Sequence, residues 1–366
     1  MLEGHITREL LSAGARTGGL FTIHEILHGI TGPGFFFGAG FAFTISTQRR
    51  WDQVTHAGLP FLRRIRRALL LIGLGYAMHV PFLSLTKTIA AASADQLAAF
   101  WAFGVLQCIG VTLLFLYLLV FIVRDERALM IGILFSLAAV VWLTPALWSW
   151  SKAGTLPSPV AAMFNTGSGS PYPIAPFSAF ILAGALVSWL FLRAVQQERE
   201  RLFQRMLLAV GLILVGASLA AELFKPVPFS VGTFWSVDRT FFGIRLGVLL
   251  LLLSALWRLE QATSRRNVPW LPRWIVLLGI ESFFVYVTHL LLLCGWTTNV
   301  TCNVRAYFGP SLSWPAAFAV IVAFIPVVVV LAEGWHRLKR QHPVLMRGVY
   351  AWMAFAVVWA FFANPY

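Results

Sequence analysis

Apolar segments long enough to cross a bilayer recur along the whole chain. A hydrocarbon core of about 30 Å needs about 20 apolar residues in a helix, and spanning segments are helical because hydrocarbon offers no partner to unpaired backbone groups. Of the 366 residues, 59% are hydrophobic and only 11% are charged, which is more apolar surface than a soluble domain can bury. The sequence predicts ten spans, near residues 31–47, 67–84, 103–123, 127–147, 176–193, 204–223, 239–257, 274–295, 313–333 and 345–363.

The basic residues indicate how the predicted spans are oriented. They cluster after the first, third, fifth, seventh and ninth spans, whereas the other connections carry one or two cations each. By the positive-inside rule, the basic connections face the cytoplasm and residues 1–30 face outward. The net charge of +14 is spread over alternate connections and forms no single patch, so we expect no nucleic-acid partner.

We therefore predict an all-α fold, a polytopic membrane helix bundle with a single domain over residues 1–366. The outward-facing start has no crossing before it, and Met1–His5 resembles the outer end of one. Two interpretations stay open: ten full transmembrane helices follow a truncated first helix, or ten helices with both termini outside are the whole design. We favour the first, and we expect a protein integral to a bacterial inner (cytoplasmic) membrane.

The stretch His24–His28 reads HEILH, which matches the H-E-x-x-H pattern of zinc proteases. Such a site needs both histidines on one helix face, a glutamate beside the metal-bound water and a third ligand from elsewhere. Gly29, Gly32 and Pro33 break regular structure directly after the pair, and no later predicted span carries a buried Asp. An intramembrane zinc protease is therefore only the third hypothesis for function, and we expect no metal.

Four stretches of the sequence together carry a resemblance to a known family. In order and spacing they resemble the heparan-alpha-glucosaminide N-acetyltransferase-like family of the transmembrane acyltransferase superfamily, over residues 1–190. Ser282–His289 is similar to the Tyr-Val-x-His helix of the wider superfamily. The four stretches are His28 with the PGFFFGAG run Pro33–Gly40, the basic Leu62–Leu71, the GVLQ-containing Phe103–Gly110, and Tyr172–Phe177 leading to Gly184.

The resemblance implies a bundle of eleven helices with a functional histidine near the outer end of the first. It implies acyl-CoA (acetyl-CoA) as a co-substrate that arrives from the cytoplasm. The residue that corresponds to the functional histidine is His5, and we predict His28 and His289 as further catalytic residues. Gln107 lies in one of the matched stretches and is assigned to substrate binding.

Ionisable side chains inside predicted spans indicate function, because a charge in hydrocarbon is costly. In this chain they gather toward the outer half of the predicted bundle. We predict that His24, His79, Asp238, Arg239 and Arg245 join Gln107 in substrate binding. Structural alternatives stay open, in which His79 caps a helix, Arg245 and Glu281 pair with neighbours inside the bundle, and His289 makes an internal hydrogen bond.

Acyl transfer from a thioester needs a base for the acceptor's proton and a positive or hydrogen-bonding group for the oxyanion. Histidine suits the first role and arginine the second. The leading hypothesis is an integral-membrane acyltransferase that moves an acetyl or other acyl group from acyl-CoA to a sugar or similar acceptor at the outer face. The alternative is a membrane transporter or permease, in which buried charges mark a pathway. Expected partners are membrane lipid, acyl-CoA and a glycan or other hydroxyl or amine acceptor, and a homo-oligomer stays open.

Overall fold

The computed structural model describes residues 1–152, 156–167, 169–225, 238–264, 271–297 and 300–364. Among these residues the regular elements are helices and one isolated β-bridge between Leu11 and Leu312, so the all-α prediction is confirmed. The helices are α1 Leu2–Leu10, α2 Gly19–His28, α3 Thr31–Gln48, α4 Trp51–Val54, α5 Leu59–Ala77, α6 Leu85–Ala91, α7 Ala94–Trp101, α8 Val105–Val123, α9 Glu126–Lys152, α10 Ser158–Phe164, α11 Ile174–Gln196, α12 Glu200–Leu223, α13 Arg239–Ser264, α14 Arg273–Ile280, α15 Ser282–Leu293, α16 Val304–Phe308, α17 Trp314–Gln341 and α18 Pro343–Ala363.

Eight helical segments in the described part of the chain are long and apolar enough to cross a membrane. They are α2 with α3, then α8, α9, α11, α12, α13, α17 and α18. The helices α14 and α15 are bent by 87° at the break between them. If the pair counts as one broken span, it adds a ninth crossing. The chain is thus an integral membrane protein, and the prediction of ten full transmembrane helices is not confirmed. The truncated first helix stays a prediction.

Two predicted spans account for the difference in number. The span predicted near 67–84 is wrong in its limits, because α5 covers Leu59–Ala77 and carries Arg63, Arg64, Arg66 and Arg67 in its first half. Because of these four arginines, α5 is not among the eight segments counted above. The span predicted near 274–295 is interrupted, since the helix stops at Ile280 and starts again at Ser282.

A buried carboxylate stands at the interruption between α14 and α15. Glu281 is 4% exposed, and it accepts hydrogen bonds from Nδ1 of His336 at 2.7 Å and Nζ of Lys339 at 2.6 Å. Both partners lie on α17. A buried carboxylate needs partners of this kind, because an unpaired charge out of water is strongly unfavourable. The sequence offered such pairing as an alternative for Glu281, and the structure confirms it.

By their contacts the residues group into two compact units. The first unit contains Met1–His28, Val80–Gln96 and Leu259–Tyr366, and the second contains Gly29–His79 and Leu97–Arg258. Each unit is described by itself below. The single-domain organisation stays a prediction.

In the second unit, α3 and α11 approach so closely that glycine is required at the crossing. A Cβ atom at Gly40 would lie 1.8 Å from the carbonyl oxygen of Ile181, and one at Gly184 would lie 2.0 Å from the carbonyl oxygen of Phe37. Small residues allow this kind of backbone approach in membrane helices. Gly40 therefore has a packing role on α3, whereas no described atom lies within 4 Å of a Cβ built at Gly38.

In the first unit, the short helix α1 is part of the core. Ile6 and Leu10 on α1 are buried together with Leu293 on α15 and with Phe324 and Val328 on α17. In a membrane, van der Waals packing between such side chains is a main favourable contribution to the association of helices. The core fixes α1 against α15, and this determines which polar side chains of the two helices meet.

Candidate functional site

Histidine side chains from three helices come together in the first unit. The ring centroid of His5 on α1 lies 5.3 Å from that of His289 on α15 and 6.3 Å from that of His28 on α2. The ring of His24 stacks on that of His28 at 5.8 Å with 5° between the planes. We call these four residues the histidine cluster. It unites the three predicted catalytic histidines with one predicted substrate-binding residue, and their roles stay predictions.

The local sequence explains why these rings face one another. His24 and His28 are four residues apart on α2, so they share one face of that helix. His5 follows Gly4, and a Cβ atom at Gly4 would lie 1.8 Å from the ring of His28. Only a residue without a side chain therefore leaves room for His28 beside α1. Sequence reasoning missed Gly4, because a contact across 24 positions has no signature in a single sequence.

His289 has the most distinctive environment of the four. His289 is only 1% exposed, and its Nδ1 lies 2.7 Å from the carbonyl oxygen of Val285, one turn earlier on α15. A carbonyl only accepts, so Nδ1 carries the hydrogen and Nε2 carries a lone pair. Nε2 is buried and has no hydrogen-bond partner among the described residues. Buried polar atoms are nearly always paired, so this nitrogen is a candidate for contact with a substrate proton.

The polar surroundings of His24 include residues that sequence reasoning did not single out. Nε2 of His24 lies 2.5 Å from a carboxylate oxygen of Glu3, and its ring is 5.6 Å from that of Trp314, edge to face. Arg8 donates two hydrogen bonds to Glu25, of 2.9 and 3.3 Å. Glu3 and Arg8 lie close to His5 in the sequence, and this proximity was the only sign in the sequence that they belong to the cluster's surroundings. Their partners on α2 could not be foreseen, because the contacts are long-range.

These contacts bear directly on the H-E-x-x-H match. In a zinc protease the glutamate faces a metal-bound water, whereas Glu25 is engaged by the guanidinium of Arg8. Within the described ranges, no group of three or more His, Cys, Asp or Glu side chains is arranged to hold a metal ion. The observations give no support to the protease hypothesis.

The other predicted substrate-binding residues lie in the second unit, and His79 and Gln107 contact the backbone at helix ends. His79 was expected deep within a helix, but α5 ends at Ala77, and Nδ1 of His79 lies 2.8 Å from the carbonyl oxygen of Gly75. This contact agrees with the alternative in which His79 caps a helix. Gln107 is buried at the start of α8, where its Oε1 accepts from the backbone N–H of Gly104 at 3.2 Å. Their predicted roles in substrate binding stay predictions.

Charged residues of the second unit lie at the start of α13. Asp238 and Glu222 both accept from Nζ of Lys225. Burial raises the pKa of the Asp238 carboxyl, but hydrogen bonds from Lys225 and the backbone N–H of Thr240 outweigh it, so its pKa is lowered overall. Arg239 donates to the carbonyl oxygen of Trp142 at 3.1 Å and lies 4.1 Å from the centroid of its ring.

Arg245 lies one and a half turns further along α13 and is only 3% exposed. Its guanidinium carbon is 5.9 Å from the centroid of the Phe241 ring. A buried guanidinium beside an aromatic face is a favourable arrangement. The structure therefore buries Arg245 within α13, the helix of the span in which the sequence placed it, and its part in substrate binding stays a prediction.

Comparison with known families adds an independent observation. A scan against protein families matches residues 1–222 to the family described as heparan-alpha-glucosaminide N-acetyltransferase, catalytic, which is more than half of the 366 residues. The chain belongs to this family. The resemblance found in the sequence is thereby confirmed. Comparisons with curated proteins and with solved structures found no match.

Membership of the heparan-alpha-glucosaminide N-acetyltransferase family identifies a membrane acyltransferase type of protein, whose relatives in general use acetyl-CoA as donor. The matched region contains His5, His24 and His28 of the histidine cluster, together with His79 and Gln107. His289 lies beyond it and joins the cluster only through the fold. The transporter hypothesis receives no support from the family.

Proposed function

We propose that this member of the heparan-alpha-glucosaminide N-acetyltransferase family transfers an acetyl or similar acyl group from acetyl-CoA to a hydroxyl or amine of a sugar-like acceptor. The proposal includes an acceptor at the outer face of a bacterial cytoplasmic membrane and a CoA donor from the cytoplasmic side. The observation that carries it is the buried lone pair on Nε2 of His289, beside the ring of His5. Family membership supplies the reaction class.

The chemistry assigns a role to each imidazole of the cluster. Nε2 of His289 takes the proton of the acceptor hydroxyl or amine. At the same time, the oxygen or nitrogen of the acceptor attacks the thioester carbonyl carbon. The carbon–sulfur bond then breaks, and the proton passes from His289 to the leaving CoA thiolate. A positioned base of this kind contributes about 10²–10⁴-fold to rate.

The developing oxyanion needs N–H donors. A neutral imidazole offers one N–H donor, and we assign this role to His5 and His28. Arginine was the expected group, but Arg8, which belongs to the same unit, is ion-paired with Glu25. His24 lies against the carboxylate of Glu3 and stacks on His28, so we assign it a positioning role.

An acetyl-transfer assay tests the function. Purified full-length protein, reconstituted in lipid, is incubated with radiolabelled acetyl-CoA and a panel of amino sugars and oligosaccharides. We expect CoA release that depends on the acceptor, together with label on the acceptor. Release of neither product with every acceptor, from protein that melts cooperatively, would contradict the proposal.

A glycine substitution tests whether the position of His28 matters. In Gly4→Ala the new methyl group overlaps the ring of His28 and must displace it. A displacement of about 1 Å at a reacting group lowers rate by about 10²-fold, so we expect kcat to fall by a factor approaching this value. The measurement is the rate of CoA release at saturating acetyl-CoA.

The matched control for Gly4→Ala is Gly14→Ala, because no described atom lies within 4 Å of a Cβ atom built at Gly14. We expect this control to retain the wild-type rate. A fully active Gly4→Ala protein would show that the ring of His28 does not take part in the reaction.

A further inference from the structure

A cavity of about 490 Å³ opens on the second unit, between the end of α11 and the first half of α12. Its two ends differ in chemistry. The turn that joins the two helices contributes Gln197 and Arg199, and Arg127 and Arg193 lie at the same end. Further along α12 the walls are apolar. These wall residues are Leu190, Leu202, Met206, Val210 and Leu250.

The apolar walls are open toward the surroundings of the unit. Leu202, Met206 and Val210 are 52%, 57% and 45% exposed, and they lie on a helix apolar enough to span a membrane. A helix rises 1.5 Å per residue, so the wall from Arg199 to Val210 extends about 16 Å. An exposed apolar groove of this length within a span suits a hydrocarbon chain. A nucleotide or a sugar would leave its polar groups unpaired there.

The arginines at the end of the groove are not equivalent. Arg193 donates to Glu126 at 3.1 Å and lies 5.1 Å from the centroid of the Trp189 ring. Arg127 and Arg199 are exposed, and neither has a carboxylate within 4.0 Å in the part of the chain that the structure describes. The acidic residues beside Arg199 in the sequence, at positions 198 and 200, do not line the cavity. The end of the groove therefore carries uncompensated positive charge.

The geometry points to a binding site for one anionic phospholipid, with its phosphate at Arg127 and Arg199 and an acyl chain along Leu202, Met206 and Val210. The site shares no residue with the histidine cluster and does not depend on the proposed acetyl transfer. Both arginines belong to connections that the positive-inside rule assigns to the cytoplasm. The cytoplasmic leaflet is the one that carries anionic lipid, and basic pockets between spanning helices on that side suit such headgroups.

Removal of the two unpaired arginines tests the site. The full chain is purified, and its binding of phosphatidylglycerol and of phosphatidylcholine with identical acyl chains is measured by native mass spectrometry. We expect the wild-type protein to prefer phosphatidylglycerol. We expect Arg127→Ala/Arg199→Ala to weaken phosphatidylglycerol binding by about 30-fold, because each arginine near an anionic lipid contributes about fivefold. Phosphatidylcholine binding should not change.

The matched control is Arg201→Ala/Arg205→Ala, which removes the same charge from exposed positions of α12 outside the cavity. We expect its lipid preference to equal that of the wild-type protein. An equal loss in the control would overturn the proposal, because the preference would then follow net charge. Equal binding of the two lipids by the wild-type protein would also overturn it.

Two further measurements keep the result decisive. Excess acetyl-CoA or inorganic phosphate is added to the wild-type complex, and we expect the lipid to stay bound; its displacement would assign the arginines to a soluble phosphate compound and overturn the proposal. If the arginine variant does not fold, Leu202→Trp fills the groove and leaves its charge intact. Loss of phosphatidylglycerol binding in Leu202→Trp supports the site, and unchanged binding overturns it.

Discussion

Replacement of His289 by alanine is expected to lower the rate of acetyl transfer by about 10²–10⁴-fold, which is the contribution of a positioned base. The hydrogen bond from Nδ1 to Val285 fixes the ring and leaves Nε2 buried without a hydrogen-bond partner among the described residues. Alanine has no nitrogen at this place, so the proposed base is lost. We expect kcat to fall while the affinity for acetyl-CoA is retained. Both quantities are obtained from the rate of CoA release as a function of acetyl-CoA concentration.

Two additional readouts separate a chemical role of His289 from a structural one. Alanine leaves a space the size of an imidazole ring, so added imidazole should restore part of the rate of His289→Ala. His342→Ala is the matched control, because His342 is an exposed histidine of the same unit and makes no side-chain cap contact. We expect this control to keep the wild-type rate. A folded His289→Ala protein with wild-type activity would exclude Nε2 as the base.

Replacement of Gly184 by valine is expected to destabilise the second unit strongly. The Cβ atom would lie 2.0 Å from the backbone carbonyl of Phe37, and a backbone atom cannot rotate away as a flexible side chain can. Overpacking in a well-packed interior costs about 1–3 kcal/mol, occasionally more, and we expect the upper part of that range. For a unit of this size, about 3 kcal/mol corresponds to a melting temperature lower by about 6–12 °C. Thermal unfolding of the purified protein in detergent measures the shift.

The control for Gly184→Val is Gly38→Val, which adds the same side chain on the partner helix α3. No described atom lies within 4 Å of a Cβ atom at Gly38, so we expect little change in melting temperature. If both variants melt together with the wild-type protein, α3 and α11 do not approach as closely as the glycine contacts require.

Long-range contacts explain where prediction from the sequence stopped. The span predicted near 274–295 was correctly placed on apolar residues, but its break at Glu281 depends on His336 and Lys339, which lie more than 50 positions away. The limits of α5 were misjudged because the apolar run continues past Ala77 while the helix does not. His79 was therefore predicted within a helix, whereas in the structure it lies beyond the end of α5 and caps it.

The candidate site shows the same division. The sequence singled out His5, His24, His28 and His289 from the family resemblance, from the pattern HEILH and from the cost of polar groups in apolar segments. It did not provide Gly4, Glu3 or Arg8, whose importance comes from contacts with α2. A single sequence contains no information on which of its polar residues will meet, since that depends on how α1 packs against α15 and α17.

The sequence by itself determined that this is an all-α integral membrane protein of the heparan-alpha-glucosaminide N-acetyltransferase family. Hydropathy and short motifs are properties of neighbouring residues. An apolar segment in a bilayer forms a helix because hydrocarbon offers no other partner for its backbone groups. Only the tertiary structure decided that the rings of His5, His28 and His289 come together, and that Nε2 of His289 is buried without a hydrogen-bond partner among the described residues. Burial of Ile6 and Leu10 against α15 and α17 produces that arrangement. Packing between segments that are distant in the sequence cannot be read from a pattern along the chain.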